Sequence, residues 1–544
     1  MGLAHSKALI ATLALATHYA LHRSDWDNTF HTVIGIWAVA FGGIATFEYV
    51  ADGRTKSLGV AVQLAARTAT FYFAILIASI LLHRGFFHRL RKFPGPFFAR
   101  FSKSYGISVG VLSTNFQYFK WLDSLPRQYG EDVIRTGPRE VTVYCADAVP
   151  LIHGATSKCS KNTIYDTISE VAGRSLHFTT NKDEHRQRRK MWDRAFNANA
   201  LREYEPRLNR HALALISKLK EQATRSSVRI TDWVNFYSFD VMGDVGFNRS
   251  FDMVEKGKED PVIKLLHESQ APISIFAHIA WAMRLIALTP VGSGPLFEHI
   301  AWSAKVLEER KKDSPKEKDV FSSLLNPNND RITPEMNSDS RLLIIAGSDT
   351  VAATLSFLMC ELCKNLETQA KLRIAIDAIE AKKAHLDVED VTECAYLDGV
   401  INETLRLHPA TPSGAQRETP PEGITLPNGT YIPGKVNVWM PFYSLQRDPR
   451  YWEEPLSFMP ERWTGERPSA IIEKRAYLPF SIGPYNCIGQ KLAMMELRSV
   501  TANLVRSFKI SFAEGEDGST IENKTRDCFT INVGKLDVRL TPRY

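Results

Sequence analysis

Three apolar stretches open the chain, at 8–21, 33–50 and 69–82, each separated from the next by polar or charged residues. A membrane span needs about 20 mostly apolar residues. The first two stretches are borderline on that measure, and the third comes closest when extended back to Val60, with Arg67 interrupting it. The pattern predicts a membrane anchor over residues 1–92 with one to three transmembrane helices. His83, Arg84, His88, Arg89, Arg91 and Lys92 follow the third stretch. Positive charge beside a span favours the cytosolic side, so the rest of the chain is expected to face the cytosol. A cleaved signal peptide over 1–21 is the competing reading. Only Lys7 supplies a basic start, and the later stretches would hold the protein in a membrane in either case.

Lys92-Phe93-Pro94-Gly95-Pro96 comes next. Two prolines around a glycine stop a helix and stiffen the chain, which predicts a hinge at 93–97 and one large domain at 98–544. Within that domain, helical spacing of apolar residues predicts helices at 202–221, 260–269, 296–311, 340–366, 369–384 and 488–507. Short β-type stretches at 140–144, 424–426, 431–432, 437–440 and 529–533 predict a small sheet. The charged segment 311–319 and the Asn/Pro-rich segment 326–337 read as surface loops, and no internal repeat is visible. The fold class is therefore mainly α with a small β-sheet region.

Composition narrows the function classes. Hydrophobic residues at 44% and charged residues at 23% describe an ordinary globular chain with ample core-forming surface. The net charge of +7 suits a membrane-facing protein or one that docks an acidic partner. The one dense basic run, Arg186-Gln187-Arg188-Arg189-Lys190, is short, and no paired zinc spacing accompanies it, so nucleic acid is not an expected partner. Seven scattered cysteines do not make a disulfide framework. Cys360 and Cys363 have CxxC spacing but lie in an apolar helical pattern, where buried thiols are the simpler reading.

The most informative stretch is Phe480-Ser481-Ile482-Gly483-Pro484-Tyr485-Asn486-Cys487-Ile488-Gly489, followed at once by helical spacing. At a helix start, backbone N–H groups and the helix dipole stabilise a thiolate, the form that ligates a metal. Gly483 and Gly489 lack a β-carbon, so the backbone can approach a flat macrocycle and curl around the sulfur, with Phe480 shielding one side. Upstream, Glu403 and Arg406 stand at i and i+3 on a helical face, and Phe458-Met459-Pro460-Glu461-Arg462 lies between them and Cys487. Ala346-Gly347-Ser348-Asp349-Thr350 interrupts a long apolar helix with small and polar residues. Close packing explains a mid-helix glycine, which otherwise costs roughly 1 kcal/mol relative to Ala.

Taken together, from about Pro94 onward, these motifs resemble the cytochrome P-450 family. The resemblance implies haem b held by a thiolate from Cys487, with Phe480, Gly483 and Gly489 shaping the ligand loop. It also implies a buried charge triad of Glu403, Arg406 and Arg462 that supports the loop. Asp349 and Thr350 match the family's acid–alcohol pair that helps deliver protons to iron-bound dioxygen, with a groove at Gly347 leaving room for oxygen. His185, Arg189 and Arg417 match positions that bind the haem propionates through charge-assisted bonds. Two positions depart from the pattern: His185 stands where membrane-bound members usually have Trp, and Tyr485 where the family usually has Arg.

The implied activity is insertion of one oxygen atom from O2 into an apolar small molecule. The N-terminal spans and Tyr485 resemble filamentous-fungal members that decorate natural products. No flavin- or nucleotide-binding glycine motif is visible and only a short tail follows Cys487, so electrons from NADPH are expected through a separate cytochrome reductase, with cytochrome b5 as a further donor. Arg186, Arg188, Lys190, Lys491 and Arg498 are the expected cationic docking face. The resemblance also implies the endoplasmic reticulum membrane. Substrate contacts are expected at 163–179, 274–288, around Ile345, at 410–414 and at 528–531. An oxygen-independent haem-thiolate isomerase or dehydratase, and a non-catalytic haem sensor, stand as rivals.

Overall fold

The computed structural model describes residues 7–22, 30–51, 57–276, 278–279, 282–283, 290–312, 317–325, 332–379, 385–528 and 530–543. Parts of the two expected loops (313–316 and 326–331), the end of the 369–384 helix (380–384), part of the 274–288 region and Phe529 lie outside the described residues.

The opening apolar stretches form the helices Lys7–Leu21, Phe30–Ala51 and Leu58–Leu82. The third begins at a Ser57 cap, whose hydroxyl accepts from the Val60 amide, and runs unbroken past Arg67, which lies exposed on its surface. The Tyr72 hydroxyl donates to Thr17 Oγ1 (2.7 Å) and accepts from Trp37 Nε1 (3.2 Å), so one phenol ties all three helices together. In an apolar bundle such partners satisfy polar groups that lipid cannot. The stretches His31–Val50 and Leu58–Phe87 are long and apolar enough to cross a membrane, whereas Lys7–Leu21 is shorter. Pro334–Lys364 also meets that measure but is mostly buried inside the domain, so its apolar character belongs to the core.

The joint at 93–97 is pinned rather than hinged. Leu90 and Phe93 are buried with Val141, Val143 and Val438. The Arg135 amide donates to the Pro94 carbonyl at 2.7 Å, and Arg84 Nη1 donates to the Phe101 carbonyl at 2.7 Å. Gly95 sits at φ +149°, where a β-carbon would collide with the Arg135 carbonyl, so this tight approach admits glycine alone.

The core of the domain is built around Pro334–Lys364, which packs along Ile230–Phe247. Nearly every residue of the latter helix is buried. A helix buried all round, with polar residues such as Ser238, Asp240 and Asp244 among the buried ones, shows no amphipathic stripe, which is why periodicity does not reveal it. Ala198–Gln222, Pro261–Phe276, Pro290–Lys312, Leu366–Asp377 and Gln490–Ser507 match the expected helices with shifted ends. A five-stranded sheet runs in the order Val133–Gly137, Glu140–Val143, Asn437–Trp439, Arg417–Glu418 and Ser160–Lys161. Its last two strands are antiparallel, with Lys161 directly opposite Arg417. The fold is thus mainly α with small sheets, as the patterning predicts.

Candidate functional site

The segment before Gln490–Ser507 folds as a tight loop. Ser481 and Gly483 take positive φ (55° and 73°), and a β-carbon on Gly483 would collide with the His153 carbonyl. The Cys487 amide donates to the Phe480 carbonyl at 2.9 Å, closing the loop beneath the sulfur. Gly489 is under no such demand: its φ is −82°, and a β-carbon there would meet only Cys487 Sγ, at 4.0 Å. Burial among surrounding atoms pushes the Cys487 thiol up, opposed by the Gly489 and Gln490 amides and the Arg189 charge. Cys487 is nonetheless exposed.

The Glu403 side of the site holds that loop in place. Glu403 accepts from Arg406 Nε (2.9 Å) and Nη2 (2.8 Å), Arg462 Nε (3.1 Å), Trp463 Nε1 (2.9 Å) and the Met459 amide (3.0 Å). Glu403 and Arg406 are fully buried and Arg462 nearly so. Arg406 Nη1 reaches the Gln446 carbonyl (2.7 Å), the Gln446 side chain accepts from the Leu478 amide (2.7 Å), and the Leu478 carbonyl accepts from the Ser481 amide (3.0 Å). The expected triad is therefore brought together and reaches the cysteine loop through one glutamine.

Four cationic or basic side chains converge beside Tyr485. Lys161 Nζ lies 4.7 Å and Arg417 4.9 Å from its ring centroid, and the His185 ring meets it edge-on at 4.7 Å. Arg189 Nη1 donates to the Asn486 carbonyl at 2.9 Å. Tyr485 thus serves as an aromatic platform for cations where its family position usually carries a cation itself. Lys161 and Arg417 are both buried, like-charged and cross-strand neighbours, an arrangement that repels unless an anion joins it. Lys161 Nζ donates to the carbonyls of His177 (2.6 Å) and Thr179 (3.1 Å), whereas Arg417 Nε has no partner. Burial and the neighbouring cations, Lys161 foremost, hold the His185 imidazole down at about 3. His153, with neither ring nitrogen partnered, lines a cavity of about 460 Å³ together with His185, Arg189 and Tyr485. A dianionic macrocycle edge fits this set of donors, and the open Cys487 sulfur fits its metal. Sequence reading missed Lys161, because only the pairing of a two-residue strand with Arg417 reveals it.

On the Pro334–Lys364 helix, Ala346 is exposed and Thr350 half-buried in the middle of otherwise buried residues, so this face borders open space. Thr350 Oγ1 donates to the Ala346 carbonyl (2.8 Å). Asp349 is buried on another face and bonds His267 Nε2 at 3.3 Å. Gly347 leaves no groove: a β-carbon would collide with Met242 Sδ, so close helix packing accounts for it. Of the substrate regions, 410–414 and 528–531 are joined by the Ile531 amide donating to the Ala410 carbonyl (3.0 Å), and Ile164, Tyr165 and Ile168 pack with Phe178 and Met283.

The docking-face expectation needs correction. Arg188 is tied to Asp339 (2.6 Å) and Thr179 Oγ1 (2.8 Å), and Arg498 makes a two-pronged pair with Asp398 (2.7 and 2.8 Å). Arg186, Lys190 and Lys491 remain exposed. Cys360 and Cys363 are buried helix residues; burial drives the Cys360 thiol up to about 12.

The family model for cytochrome P450 matches residues 115–538. The chain is 33% identical over 547 residues to cytochrome P450 monooxygenase FCK2 of Fusarium pseudograminearum, covering 98% of this chain and 97% of that one. It is 36% identical over 480 residues to tryprostatin B 6-hydroxylase of Aspergillus fumigatus, covering 87% and 84%. The crystal structure of the cytochrome P450DA heme domain superposes with a TM-score of 0.67 at 18% identity, over 79% of this chain and 94% of that one, and so shares the fold. This chain belongs to the cytochrome P450 family and is a haem-dependent monooxygenase.

Proposed function

We propose that Cys487 is the axial ligand and that the protein oxidises an apolar natural product at a haem held between its loop and the Pro334–Lys364 helix. The observation that carries this reading is the exposed Cys487 thiol, on a loop whose Tyr485 and Asn486 are surrounded by Lys161, Arg417, His185 and Arg189. When bound, the haem iron supplies dioxygen activation, to which thiolate ligation lends electron density. A coordinating thiol is deprotonated outright, so metal binding overrides the upward push that burial gives the free thiol.

In this reading Lys161, Arg189 and Arg417 hold the two propionates as charged donors and His185 as a neutral one. Arg417 Nε, unpartnered at present, gains an acceptor. Losing a buried, hydrogen-bonded charge from such a set costs about 2–5 kcal/mol. Lys161→Met should accelerate transfer of haem to a scavenging apoprotein by at least about tenfold. An unchanged transfer rate would remove Lys161 from the propionate site.

Asp349 and Thr350 move protons toward the cavity. Thr350→Ala should keep consuming NADPH while product formed per NADPH falls several-fold and peroxide rises, measured with the purified enzyme, a cytochrome reductase and tryprostatin B as first substrate probe. The probe follows from the hydroxylase relative. An isomerase or a sensor would be indifferent to this change. The N-terminal helices anchor the protein in the endoplasmic reticulum membrane with the catalytic domain on the cytosolic side. There, exposed Arg186, Lys190 and Lys491 dock an acidic NADPH-cytochrome reductase, with cytochrome b5 as a further donor.

A further inference from the structure

His267 is clamped between two carboxylates. Its Nδ1 lies 2.8 Å from Glu259 Oε1 and its Nε2 lies 3.3 Å from Asp349 Oδ1, with the Phe239 ring edge-on at 5.6 Å. Side-chain exposure falls along this line, from 34% at Glu259 to 22% at His267 and 6% at Asp349. The three groups thus form a continuous path from the protein surface, past the Pro261–Phe276 helix, to the buried acid of the long helix. The charged and titratable groups facing it are these three, Asp232 beside Glu259 from Ile230–Phe247, and the Cys528 thiol near Asp349 from the Arg526–Cys528 strand.

We propose that His267 is a positioning residue that reloads Asp349 with protons from solvent during turnover, with Glu259 holding its ring in place at the rim. The inference rests on the reading of Asp349 and Thr350 as the proton-delivering pair. In each cycle the His267 Nε2–H bond breaks and an O–H bond forms on Asp349 Oδ1, leaving a neutral imidazole protonated at Nδ1. The neutral ring then turns so that its bare Nε2 reaches solvent at the Glu259 rim, where a hydronium ion protonates it and leaves as water before the ring turns back. Burial by itself would lower the imidazole pKa, but the hydrogen bonds and charges of Asp349 and Glu259 outweigh it and raise it to about 10. The ring is therefore charged and loaded throughout the neutral range. An arginine in this place would pair with Asp349 equally well but would not give up its proton, whereas an imidazolium can.

The test measures peroxide released per NADPH by the full-length enzyme with a cytochrome reductase, which needs no identified substrate. Wild type, His267→Gln, Glu259→Gln and Thr350→Ala are compared between roughly pH 6 and 9. The wild-type ratio should be flat, because His267 stays loaded. In His267→Gln it should start several-fold higher and climb with pH as free hydronium becomes scarce; a merely structural loss would change the level but not the slope. Glu259→Gln, at the exposed rim, should show the same trend more weakly, and it keeps the test decisive if His267→Gln binds haem poorly. A histidine-labelled NMR titration of the holoenzyme should place His267 near 10 and move it down in Glu259→Gln. Flat wild-type-like ratios in both relay variants, beside a raised ratio in Thr350→Ala, would overturn the relay alone. An unchanged ratio in Thr350→Ala as well would overturn the reading of the acid–alcohol pair beneath it.

Discussion

Replacing Glu403 by alanine should lower the unfolding free energy of the protein by about 3–5 kcal/mol, the usual cost of breaking a buried ion pair from one side, and leave it unable to retain thiolate-ligated haem. The geometry explains the size. Five donors converge on one fully buried carboxylate, and two of them belong to guanidinium groups that are themselves out of water. Without Glu403, two positive charges face each other with only carbonyl partners. Burial already pulls the Arg462 pKa down, with Glu403 the main group pulling it back up. The damage reaches the ligand loop through Arg406, Gln446 and Leu478, whose hydrogen bonds form a single chain. Glu403→Gln, which preserves an acceptor but not the charge, should be intermediate. Urea unfolding of both variants checks this, and a loss below about 1 kcal/mol in Glu403→Ala would show that the triad is incidental.

What the sequence disclosed and what it hid divide along the range of the interactions. The cysteine loop is legible because its demands are local: a positive φ at Gly483, and an amide closing back on Phe480 seven residues earlier. The triad is legible from the order of its pieces. The family resemblance supplies its meaning, and in the structure five hydrogen bonds converge on the one carboxylate. Lys161 was hidden, because a two-residue strand has no periodicity and its register against Arg417 is set by distant chain. Arg188 was misread for the same reason. A charge run looks like a solvated face until Asp339, 151 residues away, is seen to hold one member. His267 gave no signal at all, since its partners lie 8 and 82 residues from it. The Ile230–Phe247 helix was hidden by uniform burial, and Gly347 by the Met242 side chain that occupies its empty face.

The expectation with the largest effect of all concerns Cys487, because every assigned role presupposes its bond to iron. The Cys487 side chain is exposed, carried on a loop fixed by Gly483 and the Phe480 carbonyl, and attended by the Gly489 and Gln490 amides that stabilise negative charge on it. Alanine at this position removes the loop's only thiol while leaving those backbone bonds intact, so the fold should survive and thiolate ligation should not. The deciding measurement is the absorption spectrum of the reduced, carbon-monoxide-bound protein beside that of Cys487→Ala. A strongly red-shifted Soret band in the wild type that vanishes in the variant is the result this structure predicts; its absence from well-folded wild-type protein, or its persistence in Cys487→Ala, would contradict thiolate ligation by this residue.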